Sequence, residues 1–229
     1  MNRITKLTGL LELCVVAVLQ TDAVCAQVAP TKAEVSAYTG LHAAAVAGDV
    51  SLIRQLVAAG ADVSARDSHG RMPMHVAAFA SHDEVVLALA KAGADANALQ
   101  HDKHDIITIA AVANDVDMVR TSVKAGGSAR NITSIYDGTA LIAAAHRGNW
   151  ESIEVLIEAG APLDHVNNLG WTALIEAVVL GDGGPRHVKS AQLLVEAGAD
   201  KSITDRSGQT PLDLAKARGY ADMVNVLEP

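Results

Sequence analysis

Residues 41–62 read LHAAAVAGDVSLIRQLVAAGAD, and the fold follows from how this stretch is punctuated. The Ala-rich part, His42 to Ala47, suits a thin first helix packed closely against neighbours, and Gly48 stops it as a C-terminal glycine cap. Leu52, Ile53, Leu56 and Val57 then form the i, i+1, i+4, i+5 stripe of an amphipathic second helix, which Gly60 ends. The polar stretch from Asp62 to Gly70 places Asp, Ser and Gly where turns need them. One such helix pair cannot bury its own apolar faces; stacked pairs can.

The same punctuation recurs along the chain. Helix-ending glycines stand at 60, 93, 126, 160 and 198, at intervals of 33, 33, 34 and 38 residues. A second series of apolar residues falls at Leu41, Met74, Ile107, Leu141, Leu174 and Leu212, and the first five precede those glycines by 19, 19, 19, 19 and 24 residues. Two independent spacings therefore agree, which makes the body of the chain a repeat array.

The stretches Asp205 to Ala215 and His69 to Ala78 come nearest to the pattern D-x-x-G-x-T-P-L-H-x-A-A, and with the 33-residue period they resemble ankyrin repeats. The resemblance covers about 39–229 and implies an all-α solenoid of about six helix–turn–helix repeats, with β-turn fingers on one side and a concave recognition surface. Six units are expected, at about 37–66, 67–99, 100–132, 133–166, 167–204 and 205–229, after a linker over 27–36. The fifth unit, with Asp182-Gly183-Gly184, also resembles bacterial ankyrin proteins that carry a D-G-G insertion. Its five extra residues are expected to enlarge the loop between the two helices.

Departures from the pattern concentrate in the third unit. Lys103 stands where a finger glycine is expected, Asn114 where the helix-ending glycine is expected, and Ser122 in the slot held elsewhere by Leu56, Leu89, Leu156, Leu194 and Leu227. Losing a buried leucine costs about 2–5 kcal/mol where the site cannot collapse, so the 100–132 unit is expected to be the softest.

Composition agrees with this organisation. The chain has 229 residues, of which 50% are hydrophobic and only 3% aromatic. Alanine, close to a fifth of the chain, replaces large rings as core filler, which disfavours a sandwich or barrel. The net charge of −8, without a Lys/Arg cluster, argues against nucleic acid as partner and favours a protein with a basic patch. Arg3 and Lys6 precede an apolar run from Leu7 to Leu19, and Val24-Cys25-Ala26 offers a cleavage site after Ala26. That order is a cleaved secretory leader over 1–26, too short for a permanent anchor and weakened by Glu12. Cleavage removes both cysteines, Cys14 and Cys25, and points to a periplasmic or secreted protein; failure of export would make it a cytoplasmic regulator.

Catalytic chemistry has little to work with. There is no G-x-S-x-G elbow, the expected mature form lacks cysteine, and Gly181 to Pro185 lacks the spacing and following Lys-Ser/Thr of a phosphate loop. His42, His75, Asp62, Asp95 and Asp200 recur at repeat positions and are expected to be structural. The run His101-Asp102-Lys103-His104-Asp105, with Asp67 and His69 one finger away, is the one grouping that could bind a divalent ion. Lys103 between the ligands disfavours it, and no cofactor or metal is expected. Asn131-Ile132-Thr133 fits a glycosylation acceptor, which has meaning only in a eukaryotic secretory route.

The expected function is therefore non-enzymatic binding of a protein partner by a monomer, through fingers and inner helices. Aromatic and arginine anchors dominate interfaces, so the expected contacts are His69, Arg71, Phe79, His101, Lys103, His104, Tyr136, Arg147, Trp171 and Leu180. For Tyr136 and Trp171 the alternative is packing against the neighbouring repeat, and Trp150 is expected to pack.

Overall fold

The structure, a computed structural model, describes residues 28–228; the expected leader, with Cys14 and Cys25, lies outside the described residues. Six helix pairs follow a short N-terminal helix. In chain order these are α1 (Lys32–Ala37), α2 (Gly40–Val46), α3 (Val50–Ala58), α4 (Pro73–Phe79), α5 (Asp83–Lys91), α6 (Ile106–Ala113) and α7 (Val116–Lys124). The array continues with α8 (Ala140–Arg147), α9 (Trp150–Glu158), α10 (Ala173–Val179), α11 (Pro185–Glu196), α12 (Pro211–Arg218) and α13 (Ala221–Leu227). First helices pack on first helices from α2 to α12 and second helices on second helices from α3 to α13, giving two layers. Among the described residues the only β pairing is an isolated bridge between Thr133 and Gly138.

Several of the first helices begin at a side-chain cap. Asp105, Thr139, Thr172 and Thr210 each cap one by accepting from a backbone N–H three residues on. Ala44, Ala45, Ala77, Ala110, Ala111, Ala144, Ala145 and Ala177 are buried, which lets neighbouring first helices approach closely. The second helices bury larger residues, Ile53, Leu89, Met118, Ile153, Leu156 and Leu194 among them. At each helix turn one residue is left-handed: Gly48, Gly148, Gly183 and Gly219 where glycine is present, Ser81 at φ 56° and Asn114 at φ 55° where it is not. Asn114 compensates with its side chain, donating to Glu151 and accepting from Ser152 Oγ.

Two expectations need correction. The stretch 27–36 is more than a linker, since Thr31 and Glu34 form a reciprocal capping box and open helix α1 at residue 32. Nor does the five-residue insertion of the fifth unit lie wholly in a loop: α11 has 12 residues against nine in α5, so only two of the five lengthen the connection. Pro185 opens that longer helix, and Gly183 at φ 70° lets the chain pass against the Tyr220 ring.

Ser122 occupies the buried leucine slot of the third unit, fully enclosed, and its hydroxyl has no hydrogen-bond partner. Structural duty also accounts for the recurring polar residues. Asp62, Asp95 and Asp200 each accept from the backbone N–H two residues on. His42 Nε2 reaches the Arg71 carbonyl at 2.9 Å, and His75 bridges Met72 N–H to the Ala98 carbonyl. Because His75 Nδ1 accepts, Nε2 carries the proton; burial pulls its pKa down to about 4 and keeps the ring neutral.

Candidate partner-binding groove

The fingers, the loops between helix pairs, are tied into one row by main-chain bonds. His101 N–H donates to the His69 carbonyl, Ser134 N–H to the Lys103 carbonyl and Asn168 N–H to the Tyr136 carbonyl, at 2.9–3.0 Å. Arg206 extends the row by donating to the Asn168 carbonyl. Each finger thus positions the next, so side chains on adjacent fingers are held at fixed separations. Three large apolar side chains stand out along this row: Ile132 and Val166 are each 46% exposed and Ile135 48%. Their exposure is not visible in the sequence, where they look like ordinary loop aliphatics.

The expected contacts divide sharply. His101, Lys103 and Arg147 are exposed, and His69, Phe79, Tyr136, Trp171 and Leu180 are half-buried. Lys103 takes the left-handed conformation at φ 58° that a finger glycine would adopt, and its Nζ lies 3.7 Å from Asp137. Trp171 and Phe79 pack partly on the core and Trp150 is half-buried.

Arg71 is a correction, because its side chain is 0% exposed and fully committed. Its Nε donates to Asp67 and its Nη2 to Glu34, both at 2.6 Å, and its Nη1 to the Val28 carbonyl at 3.0 Å. Tyr38 O–H completes the network on Asp67 at 2.6 Å. Arg71 therefore fastens α1 to the first finger and is not a surface anchor. Burial works against ionisation of Asp67, but bonds from Tyr38 and Arg71 outweigh it and hold the pKa at about 2.

The polar run 101–105 is likewise no solvated turn throughout. His104 is only 7% exposed and Asp105 1%; Asp105 caps α6 and accepts from Thr108 and from Asn131. His69 Nε2 is 2.9 Å from Glu34, and Asp67 is held by Arg71 and Tyr38, so His69, Asp67 and Asp105 are each engaged within the protein. Among the described residues no group of three or more His, Cys, Asp or Glu side chains could hold a metal ion.

Sequence reasoning missed one buried acid among the first helices. Glu176, on first helix α10, is 3% exposed. Its Oε1 accepts from Asn167 Nδ2 at 3.0 Å, while its Oε2 has no hydrogen-bond partner. His146 Nδ1 stands 3.6 Å from Oε2, too far for a hydrogen bond. Burial pushes the carboxyl up to about 8 against the opposing Asn167 bond, so at neutral pH this is a polar contact of a protonated acid and not an ion pair. Glu176 borders a small cavity of about 50 Å³, walled by Val112, Ile142 and Ala143 and edged by Tyr136, His146 and Arg147. His104 lines the same cavity, its Nδ1 likewise without a partner, and burial lowers its pKa. A wider furrow of about 590 Å³ runs between α3 and α5 on the outer layer, lined by Ile53, Val57 and Leu87 with Arg54, Glu84 and Lys91 at its edges. The residues that line the inner cavity include two buried titratable side chains, Glu176 and His104.

The signal for Glu176 lay in the repeat register. Its column is filled by Ala43, Val76, Ile109, Ala143 and Leu214 in the other units, so a carboxyl there is out of pattern.

Known proteins share this architecture. Residues 13–100 and 107–205 match the family described as ankyrin repeats in three copies. The chain belongs to the ankyrin-repeat family. An ankyrin repeat domain from Acinetobacter baumannii AYE superposes with a TM-score of 0.76 at 37% identity, over 82% of this chain and 95% of that one. The ankyrin repeat protein EF0377 gives a TM-score of 0.76 at 31% identity, over 83% and 98%. YahD, an ankyrin repeat protein of Escherichia coli K12, is 37% identical over 98 residues, 42% of this chain and 49% of YahD. The match to this curated relative thus spans about half of its length. Ankyrin repeats generally mediate protein binding, and this solenoid is such an interaction module. Among the described residues no helix is long and apolar enough to cross a membrane.

Proposed function

We propose that this ankyrin protein is a non-enzymatic binder, exported to the bacterial periplasm, that holds one protein partner along its finger row and inner helices. The observation that carries this is the hydrogen-bonded finger row, which presents Ile132, Ile135 and Val166 exposed beside half-buried Tyr136 and Trp171. Apolar side chains held rigidly at the rim of a groove lose little freedom on binding, so a few anchors suffice for affinity. The net charge of −8 steers a basic surface toward it, an attraction that salt weakens.

The test is crosslinking and capture from the native compartment with the wild type and with Ile135→Asp combined with Trp171→Ala. A partner retained by the wild type and lost at least tenfold by the variant is the expected result. Equal retention by a variant of unchanged circular dichroism would place the interface elsewhere. Fractionation with N-terminal sequencing tests export: a periplasmic chain starting at Gln27 is expected, and a cytoplasmic chain retaining residues 1–26 refutes it.

A further inference from the structure

We propose that the N-terminal end of the array is a self-association face, on which α3 of one copy packs head to head against α3 of a second copy through Leu52 and Leu56. The inference goes beyond the partner-binding role. It rests on the export reading only in that a chain beginning at Gln27 leaves this face uncovered.

The repeat register shows what this face is. One column of the second helices runs Leu52, Val85, Met118, Ser152, Ser190 and Met223, and its neighbour, headed by Leu56, is the leucine slot that Ser122 fills in the third unit. After the first unit every residue of both columns is buried, at 2% exposure or less, whereas Leu52 is 38% exposed and Leu56 half-buried. The two columns therefore turn toward the preceding unit, which the first unit lacks. From α5 onward a preceding second helix stands there; α3 packs chiefly on α2 and α5. Helix α1 forms no comparable contact with α3, since Glu34 and Tyr38 fasten that segment to the first finger.

Inside the array another second helix covers such a face, so the surface continues the stacking interface one step beyond its first unit. A second copy can supply that helix in two ways. Head-to-tail stacking would set α13 on α3 and propagate without closing. The far end is shut against it: the column that begins at Val57, in the furrow toward the following unit, ends at Glu228 on α13. The Glu228 carboxylate lies 3.4 Å from Lys216 Nζ, and its carbonyl accepts from Lys201. Head-to-head pairing meets no such charge. From Ser51 to Ala59 the only charged residue is Arg54, which lies two residues from Leu52, about 200° round the helix, and edges the furrow toward α5. Two copies related by a two-fold axis then set identical apolar faces against each other, and the pair is closed. One nine-residue helix offers less than the about 800 Å² per partner of a stable interface, so the dimer is a weak one.

Sedimentation velocity of the protein isolated from its native compartment, at about 5 to 300 µM, reads the self-association, and N-terminal sequencing of the same sample reads where the chain starts. A reversible monomer–dimer equilibrium is expected. Raising salt from about 50 to 500 mM should tighten it severalfold, because each chain carries −8 and salt screens their repulsion; binding of a basic partner responds in the opposite sense. Leu52→Glu, at an exposed position, should weaken the dimer at least tenfold with circular dichroism unchanged. Gln55→Cys, exposed beside both leucines, should give a disulfide-linked homodimer under mild oxidation, whereas Asn225→Cys on α13 should not. A monomer throughout the range overturns the proposal, whether the chain starts at Gln27 or retains residues 1–26. A dimer that Leu52→Glu leaves intact, or oligomers linked through Asn225→Cys, overturn it as well. A chain that starts at Met1 refutes export alone, so the two failures are distinct.

Discussion

Replacing Glu176 by Gln should make the protein more stable at neutral pH and flatten its pH dependence. The carboxyl titrates near 4.5 when unfolded and at about 8 in the native state, where burial holds it protonated. Its native form therefore gives full stability below pH 4.5, and stability declines as pH rises toward 8, because the unfolded chain ionises first. At about 1.36 kcal/mol per unit, the deficit is on the order of 3 kcal/mol at pH 7 and 5 kcal/mol above pH 8. Glutamine keeps the acceptor for Asn167 Nδ2 and never ionises, so it should recover most of that difference. Urea unfolding at about pH 5.5, 7 and 8.5, with m unchanged, measures it. The wild-type-minus-variant difference isolates Glu176 from His75, whose lowered pKa works in the opposite sense and removes stability as pH falls from 6.5 toward 4. His146 and Arg147 from α8, with His104 from the preceding finger, face the same cavity and remain in both proteins. A parallel pH profile in wild type and Glu176→Gln would refute the account of a buried neutral acid.

Other expectations follow from the out-of-pattern residues of the third unit and from the N-terminal clamp. Ser122→Ala removes an orphaned, fully buried hydroxyl and should raise stability by about 1–2 kcal/mol, read as a rise in Tm. Hydrogen exchange should be fastest over 106–124 among the internal units; uniform protection would sink the idea of a soft third repeat. Lys103→Gly relieves a left-handed lysine and should stabilise by roughly 1 kcal/mol, whereas Gly70→Ala should destabilise, since a Cβ there meets the His101 ring at 2.5 Å. Asp67→Ala leaves buried Arg71 with Glu34 as its remaining carboxylate and should cost about 3 kcal/mol in denaturant unfolding.

Much of the fold was legible because a repeat writes the same physical requirement several times. Gly48, Gly148 and Gly219 mark helix ends that need a left-handed residue, and even the departures at Lys103 and Asn114 could be located, since both hold the conformation of the glycine they replace. Ser122 could be placed in a leucine slot from spacing alone, and it is buried there. The site was less legible. Arg71 looks like an exposed finger arginine until Asp67, Glu34 and the Val28 carbonyl are found around it, and two of these come from segments more than thirty residues away. His104 reads as part of a polar turn, yet it is buried while the adjoining Lys103 faces solvent.

By itself, then, the sequence determined the repeat, the alanine layer, the helix stops and the place of the departures in the third unit, because each is a local requirement of backbone conformation or of side-chain period. Only tertiary structure decided which polar groups are spent and which are left over. Glu176 is an unremarkable glutamate in its own helix; it becomes a buried acid once α8, the 133–138 finger and Asn167 close around it. That outcome depends on desolvation and on distances between neighbouring units, which spacing along one chain does not contain.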